Sequence, residues 1–338
     1  MATMDIFGGG AFGMASLTGT VNKMDYVPNL LGSLNIFDPV PVTTRTIWVD
    51  SQDGNLRLIP NSAIGAPPKE LNPDSRTAVP LKTTRLAEGF TLYAEEVQGM
   101  RAFGSQSELK SVQTEYLRRM ARVRQDMEAT HEFHRLGALQ GKLLDADGTT
   151  VIYDYFDAFG VTEPAAINFA LDTNTTDVRG KCAAVARQMA RSGRGMILPN
   201  TQIHALAGDE FFDKLINHET VRATYLNQAA AAELRERRAF ESFTYGGITF
   251  HNYRGTDDET TVAVPAGEAV FFPVGAREVF KVAYAPAEFG PFVNTPGQET
   301  YALNLLDPSG RQAFTRGELY SYPLYLCQRP DVLRRGTV

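Results

Sequence analysis

The sequence predicts an α+β chain in which one very long amphipathic helix organises an N-terminal arm, an extended β-loop and a compact α/β domain. Three observations predict it. Between Ser105 and Leu144, apolar side chains recur at Leu109, Val112, Tyr116, Met120, Val123, Met127, Phe133, Leu136, Leu139 and Leu143, mostly three and four apart, which is the spacing of a single buried helical stripe. From Asn174 to Val274 the pattern changes to short alternating helical and strand-like runs, the signature of an α/β layer structure. Between Thr43 and Leu92, strand-like runs go out and come back around a Pro-rich charged tip, Ala66 to Asp74.

The first residues, 1–36, are Gly-rich and low in charge, with single large apolar residues (Ile6, Phe12, Leu17, Val27, Leu30, Leu31) and no period. Such a segment buries little alone and reads as an arm that gains order by lying across a neighbour. Residues 37–95 form the extended loop and its flanks: Thr43 to Val49 and Asn55 to Ile59 read as strands, and Arg76 to Leu92 as the returning run. A two-stranded projection is marginal in water, so it should lie on something else. The long helix, 105–144, falls within a domain of residues 96–165. Ser105 and Glu108 give it a capping box, and Glu115 to Arg119 and Arg124 to Glu128 read as four-apart ion pairs on an exposed face, each worth about 0.3 kcal/mol. At 1.5 Å per residue it would run roughly 60 Å. Thr149 to Phe156 is a strand that could return along it.

The compact domain, residues 166–285, reads as a helix over 176–191, a buried strand at Gly195 to Leu198, helices over 201–217 and 220–241, and a hairpin of Ser242 to Tyr245 with Ile248 to Tyr253 around Gly246-Gly247. Strands follow at 262–264 and 269–274. The last segment, 286–338, carries strands at 318–322 and 324–327 that rejoin the first, peripheral part.

Charge and composition narrow the function. The chain has 338 residues and a net charge of −6, which disfavours a nucleic-acid-gripping surface. Only Cys182 and Cys327 are present, far apart and without a CxxC, so neither a disulfide framework nor a zinc site is indicated. No basic n-region precedes an apolar core and no long apolar run occurs, so neither export nor membrane spanning is expected, and the Asn174-Thr175-Thr176 sequon is a chance match. Gly8 to Gly13 fits GxGxxG by letter, yet no buried strand precedes it and no good helix follows, so a dinucleotide site is not supported. His131-Glu132-Phe133-His134 has its histidines three apart where a zincin needs four; the pair reads as a solvated or partner-facing edge. Gly180-Lys181-Cys182 lacks the rest of a P-loop, and no GxSxG occurs. Arg118, Arg119, Arg122 and Arg124 could bind phosphate, but the nearby Glu115, Asp126 and Glu128 favour ion pairs. No enzymatic activity and no cofactor are expected. An α/β enzyme with an inserted hairpin is the competing class, and it would need a pocket of convergent titratable groups.

Phe272-Pro273-Val274-Gly275-Ala276-Arg277, then Tyr284-Ala285-Pro286-Ala287, then Asn294-Thr295-Pro296-Gly297 resemble the block before the C-terminus of the lambda-type major capsid protein family of tailed bacteriophages. The order of arm, loop, long helix, central domain and returning strands resembles that family over nearly the whole length. The resemblance implies a spine helix in a peripheral domain, an axial domain around five-fold and six-fold axes, and a loop over the adjacent subunit. It also implies pentamers and hexamers that build an icosahedral head around double-stranded DNA without binding it specifically, through an expanding procapsid. Scaffold, portal and decoration proteins are the implied partners, the virion the implied location, and the host cytoplasm the implied place of assembly. Inter-subunit contacts are expected at Trp48, Lys69, Glu70, Arg76, Lys82, Arg85, Arg118 and Arg122, and crosslinking through Lys69 or Lys82 is not expected. An encapsulin-like nanocompartment shares the fold class.

Overall fold

The computed structural model describes residues 30–52, 76–97, 112–198, 200–226, 242–253, 263–276 and 278–338. The described residues divide into two compact units. One holds the chain up to Ile47 with Lys82–Arg135 and Lys281–Leu326; the other holds Trp48–Leu81, Leu136–Phe280 and Cys327–Val338.

In chain order the elements are α1 (Leu30–Ser33), β1 (Asp38–Pro41), β2 (Thr46–Gln52), β3 (Arg76–Lys82), β4 (Leu86–Tyr93), α2 (Ala94–Val97) and α3 (Val112–Gln140). Next come β5 (Lys142–Leu144), β6 (Val151–Asp154), α4 (Tyr155–Ala158), β7 (Ile167–Asn168), α5 (Val178–Ser192), β8 (Gln202–Ala207), α6 (Asp209–Asn217) and α7 (Glu219–Leu226). The chain then gives β9 (Ser242–Tyr245), β10 (Ile248–Asn252), β11 (Glu268–Val274), β12 (Phe280–Tyr284), β13 (Tyr301–Leu306), β14 (Phe314–Ser321), β15 (Pro323–Cys327) and β16 (Arg334–Thr337). The GxGxxG letters, the strand at 55–59, the loop tip, the Ser105–Glu108 capping box and the Ala-rich middle of 220–241 lie outside the described residues.

Several sequence expectations are corrected. The long helix ends at Gln140, not Leu144. Gly141 takes a φ of +82°, the left-handed turn that stops a helix, and a side chain there would collide with the Phe156 ring. The chain then doubles back, so β6 pairs with β5 beside the helix end rather than forming a return strand from 149. The returning loop run splits into β3 and β4. Residues 195–198 are not a strand: Arg194 and Gly195 have φ of 44° and 92°, which bend the chain. Residues 201–217 are not one helix but strand β8, a break at Gly208, and helix α6. Residues 263–264 are not in a strand. The C-terminal stretch divides: Lys281–Leu326 belongs to the first unit, whereas Cys327–Val338 belongs to the second.

In the first unit, α3 lies on one face of the sheet β13-β14-β4. Tyr116, Met120, Val123 and Met127 pack on Leu92, Ala302 and Leu319. Alternation sends Tyr301, Leu303 and Tyr320 to the opposite face, where Ala285, Ala287 and Phe292 cover them. A second sheet, β1-β12-β15, runs β1 parallel to β12. Gly297 is pressed against this sheet: its N–H donates to the Val42 carbonyl at 3.0 Å, and the Val42 N–H donates to the Tyr284 carbonyl at 2.9 Å. A Cβ on Gly297 would overlap that Tyr284 carbonyl, which is the physical content of the Tyr284 and Gly297 blocks.

In the second unit, a six-stranded sheet has the order β7-β16-β11-β8-β10-β9. One face, with Ile203, Ala205, Ile248, Phe250, Ala269 and Phe271, packs against Val178, Cys182, Val185, Phe211 and Leu215 of α5 and α6. Asp177 caps α5 through the Gly180 N–H, and Asp209 and Glu210 suit the first turn of α6. On the other face, His204 and His251 stack on adjacent strands, with His204 Nδ1 2.9 Å from His251 Nε2. Burial, and then the neighbouring His204, lower His251 to about 4. A histidine held neutral in the fold stabilises it fully above the unfolded value near 6.5, and that stability drains as pH falls toward about 4. Thermal melts from pH 7 to pH 4 should therefore show a loss on the order of 2 kcal/mol that is smaller in His251→Gln. Equal slopes in the two proteins would remove the pair from the acid response.

Candidate assembly surfaces

Arg45 and Arg85 stand immediately before β2 and immediately before β4. Both reach one carboxylate. Arg45 Nη2 donates to Glu288 Oε2 at 3.1 Å, and Arg85 donates to Glu288 Oε1 through Nη2 at 3.1 Å and Nε at 3.2 Å. Each guanidinium also lies over an aromatic face, Arg45 over Tyr322 and Arg85 over Tyr320, both at 5.1 Å. The hydrogen bond from Arg45, opposed by slight burial and joined by Arg85, holds the Glu288 carboxyl below its ordinary range. The root of the loop is thus clamped by planar, charge-assisted contacts. The Thr83 N–H closes it further, donating to the Arg45 carbonyl at 3.0 Å.

On α3 the charged side chains do not form the open face that their spacing suggests. Arg118 and Arg119 both bond Glu115, Arg118 Nη2 at 2.7 Å and Arg119 Nε at 3.0 Å, and Arg119 also reaches Glu96 and the Thr91 carbonyl. Glu115 is only 2% exposed. The pair Arg124 and Glu128, expected on the surface, is buried, with Nη2 3.9 Å from Oε1. His131 and His134, expected at a solvated edge, are buried too. His131 Nδ1 lies 2.8 Å from the Tyr325 hydroxyl, and Arg135 lies over the Tyr325 ring at 5.3 Å. Glu132 accepts from the Leu31 N–H at 2.9 Å, so the described end of the N-terminal segment is anchored on this helix. Burial raises both Glu128 and Glu132, and it lowers His131 well below its usual value, helped by Arg135 and His134. From His131 to Leu139 every position but Phe133 is buried, so this end of α3 is covered on its polar as well as its apolar sides.

The other expected contact residues do not converge on one site. Trp48, on β2, is 65% exposed, and Lys82 at the end of β3 is exposed. Arg76 opens β3, while Lys69 and Glu70 lie outside the described residues. Arg122 is exposed on α3, and Arg118, also exposed, is held by Glu115. Arg85 is committed to Glu288 within its own chain. Sequence reasoning does not find Arg45, Glu288, Tyr93, Leu305 and Leu306; no local motif marks them, because Arg45 meets Glu288 through side chains far apart in sequence, and Tyr93, Leu305 and Leu306 are set in place by pairing with β14. Among the described residues, no cluster of three or more His, Cys, Asp or Glu could hold a metal ion, and no helix is long and apolar enough to cross a membrane.

Comparison with known proteins agrees with this geometry. A family described as Phage major capsid protein E matches residues 13–338. The major capsid protein of Pseudomonas phage KPP10 is 37% identical over 64% of this chain and 66% of its own length, and that of Salmonella phage Felix O1 is 27% identical over 95% of each. The capsid chain of cyanophage Pam1 shares the fold at a TM-score of 0.54 and 11% identity, covering 93% of each chain. The loop clamp, the buried spine and the exposed tryptophan are therefore parts of a shell subunit, and the chain belongs to the phage major capsid protein E family, which forms the shell of the phage head.

Proposed function

We propose that the chain builds an icosahedral head from pentamers and hexamers, first as a procapsid that expands when double-stranded DNA enters. The observation that carries this is the family match over residues 13–338. On this reading the unit with α3 and the β13-β14-β4 sheet is peripheral, with α3 as its spine, and the unit with the six-stranded sheet gathers at the symmetry axes. The arm of residues 1–36 and the loop of residues 37–95 reach adjacent subunits, with Trp48, Lys69, Glu70, Arg76, Lys82 and Arg122 at those contacts. Head-to-tail contacts of this kind close into rings, and many weak contacts per subunit give a stable shell. Expansion uses elements with two arrangements, and the clamp at Glu288 sets the root about which the loop turns. Scaffold, portal and decoration proteins act as partners, and assembly takes place in the host cytoplasm. The acidic balance keeps the wall from gripping its cargo.

The test is electron microscopy and light scattering of the purified chain, alone and with its scaffold. Rings, capsomers or closed shells are expected. A chain that stays monomeric at every concentration and with scaffold would overturn the reading.

A further inference from the structure

The face of the β13-β14-β4 sheet that points away from α3 is covered over only part of its length. Tyr301, Leu303 and Tyr320 lie under Ala285, Ala287 and Phe292. Further along, strand pairing places Leu305 opposite Arg316 and Phe314 opposite Tyr93 on the same face. There Leu305 is 44% and Tyr93 46% exposed. The rings of Tyr93 and Phe314 stand 6.3 Å apart and extend the patch. Arg316, bound on one side to Glu318 at 2.7 Å, sits beside it with more than half its side chain in solvent.

Other large apolar side chains exposed among the described residues are Val40, Trp48, Val151, Leu198, Val293 and Leu306. Trp48 is the most exposed of them and projects from a ladder of only two strands, which buries too little to hold itself. Its strand neighbour Val49 is buried, so alternation turns the indole to the opposite, open side. Aromatic anchors concentrate interface energy when they enter an apolar pocket on the partner, and an indole also accepts a guanidinium over its face. One self-assembling chain thus carries both an apolar anchor without a cover and an apolar sheet end with a cation at its rim.

We infer that Trp48 of one copy docks on the Tyr93, Leu305 and Phe314 patch of a second copy, with Arg316 against the indole. This rests on the reading above that the loop crosses to an adjacent subunit, and it names the surface on which it lands.

Trp48 is the sole tryptophan of the chain, so its fluorescence reports the contact directly. On conversion of free subunits to shells, its emission should shift to shorter wavelength and acrylamide quenching should fall several-fold, and both changes should be lost or much reduced in Leu305→Lys shells. A double variant, Trp48→Cys with Leu305→Cys, should give a ladder of covalent multimers on non-reducing gels of oxidised shells, absent from each single variant and collapsed by reductant. The native Cys182 and Cys327 are buried and leave the background low. Intact shells whose tryptophan stays quenchable would overturn the pairing while leaving the shell reading standing. A blue shift that Leu305→Lys does not touch, or one that appears only when another protein is added, would overturn it equally. Failure to form any shell by electron microscopy would instead overturn the reading beneath it, and this inference with it.

Discussion

A proline at Val123 is expected to abolish shell assembly. Val123 lies in the middle of the described α3 and is buried with Met120, Met127 and Leu319. Proline there removes one backbone hydrogen bond and drives its ring into the preceding turn, a cost of about 3 kcal/mol or more before any lost packing. The resulting kink would also lift the turns of Met120 and Met127 from the β13-β14-β4 sheet and swing the later turn that holds Glu132, whose carboxylate accepts from the Leu31 N–H. Val123→Ala separates the two effects: it leaves the helix intact and only trims the core, so it should still assemble. Urea melts of the purified subunit and electron microscopy of the product check both. Normal shells from the proline variant would show that a straight α3 is not needed.

Gly297→Ala is expected to be nearly as severe, although it adds only one methyl group. The backbone at Gly297 lies so near the Tyr284 carbonyl that no Cβ fits, and the obstacle is main chain, which cannot rotate aside. Relief requires separating residue 297 from the Val42 and Tyr284 strand segments, with loss of the Gly297 to Val42 hydrogen bond. Overpacking of this kind costs about 1–3 kcal/mol, more where backbone must move. The variant should give insoluble or unassembled subunit, whereas Gly290→Ala, with nothing near its missing Cβ and no left-handed backbone, should cost far less. Soluble yield and melting temperature compared between the two variants read the difference.

Where periodicity was long and local chemistry agreed with it, the sequence was legible. The apolar stripe from Val112 to Leu139 lies in the helix drawn from it, and the hairpin around Gly246-Gly247 closes with Ile248 opposite Tyr245. Gln202 to Ala207 was misread because a strand buried on both faces has no alternation to betray it. β16 was missed because Arg334-Arg335-Gly336-Thr337 looks like a polar tail; only its partners, β11 and β7, make it a strand. The histidine pair at 131 and 134 was placed at the surface because polarity was taken for exposure, whereas Tyr325 and Arg135 supply partners inside. The Glu288 clamp joins residues 203 and 243 positions apart in sequence, a distance over which no local pattern operates.

The position of β16 also bears on how a subunit comes into being. β7 joins the six-stranded sheet through β16, and β16 in turn lies against β11, so the sheet cannot close until residue 337 has been made. By then β12, β13, β14 and β15 have also been made. A chain interrupted before that point can pair β11, β8, β10 and β9 but leaves an open edge on β11 and no partner for β7, and sequence separations of this size make closure slow. The last strand made is thus the one that joins β7 to the rest of the sheet.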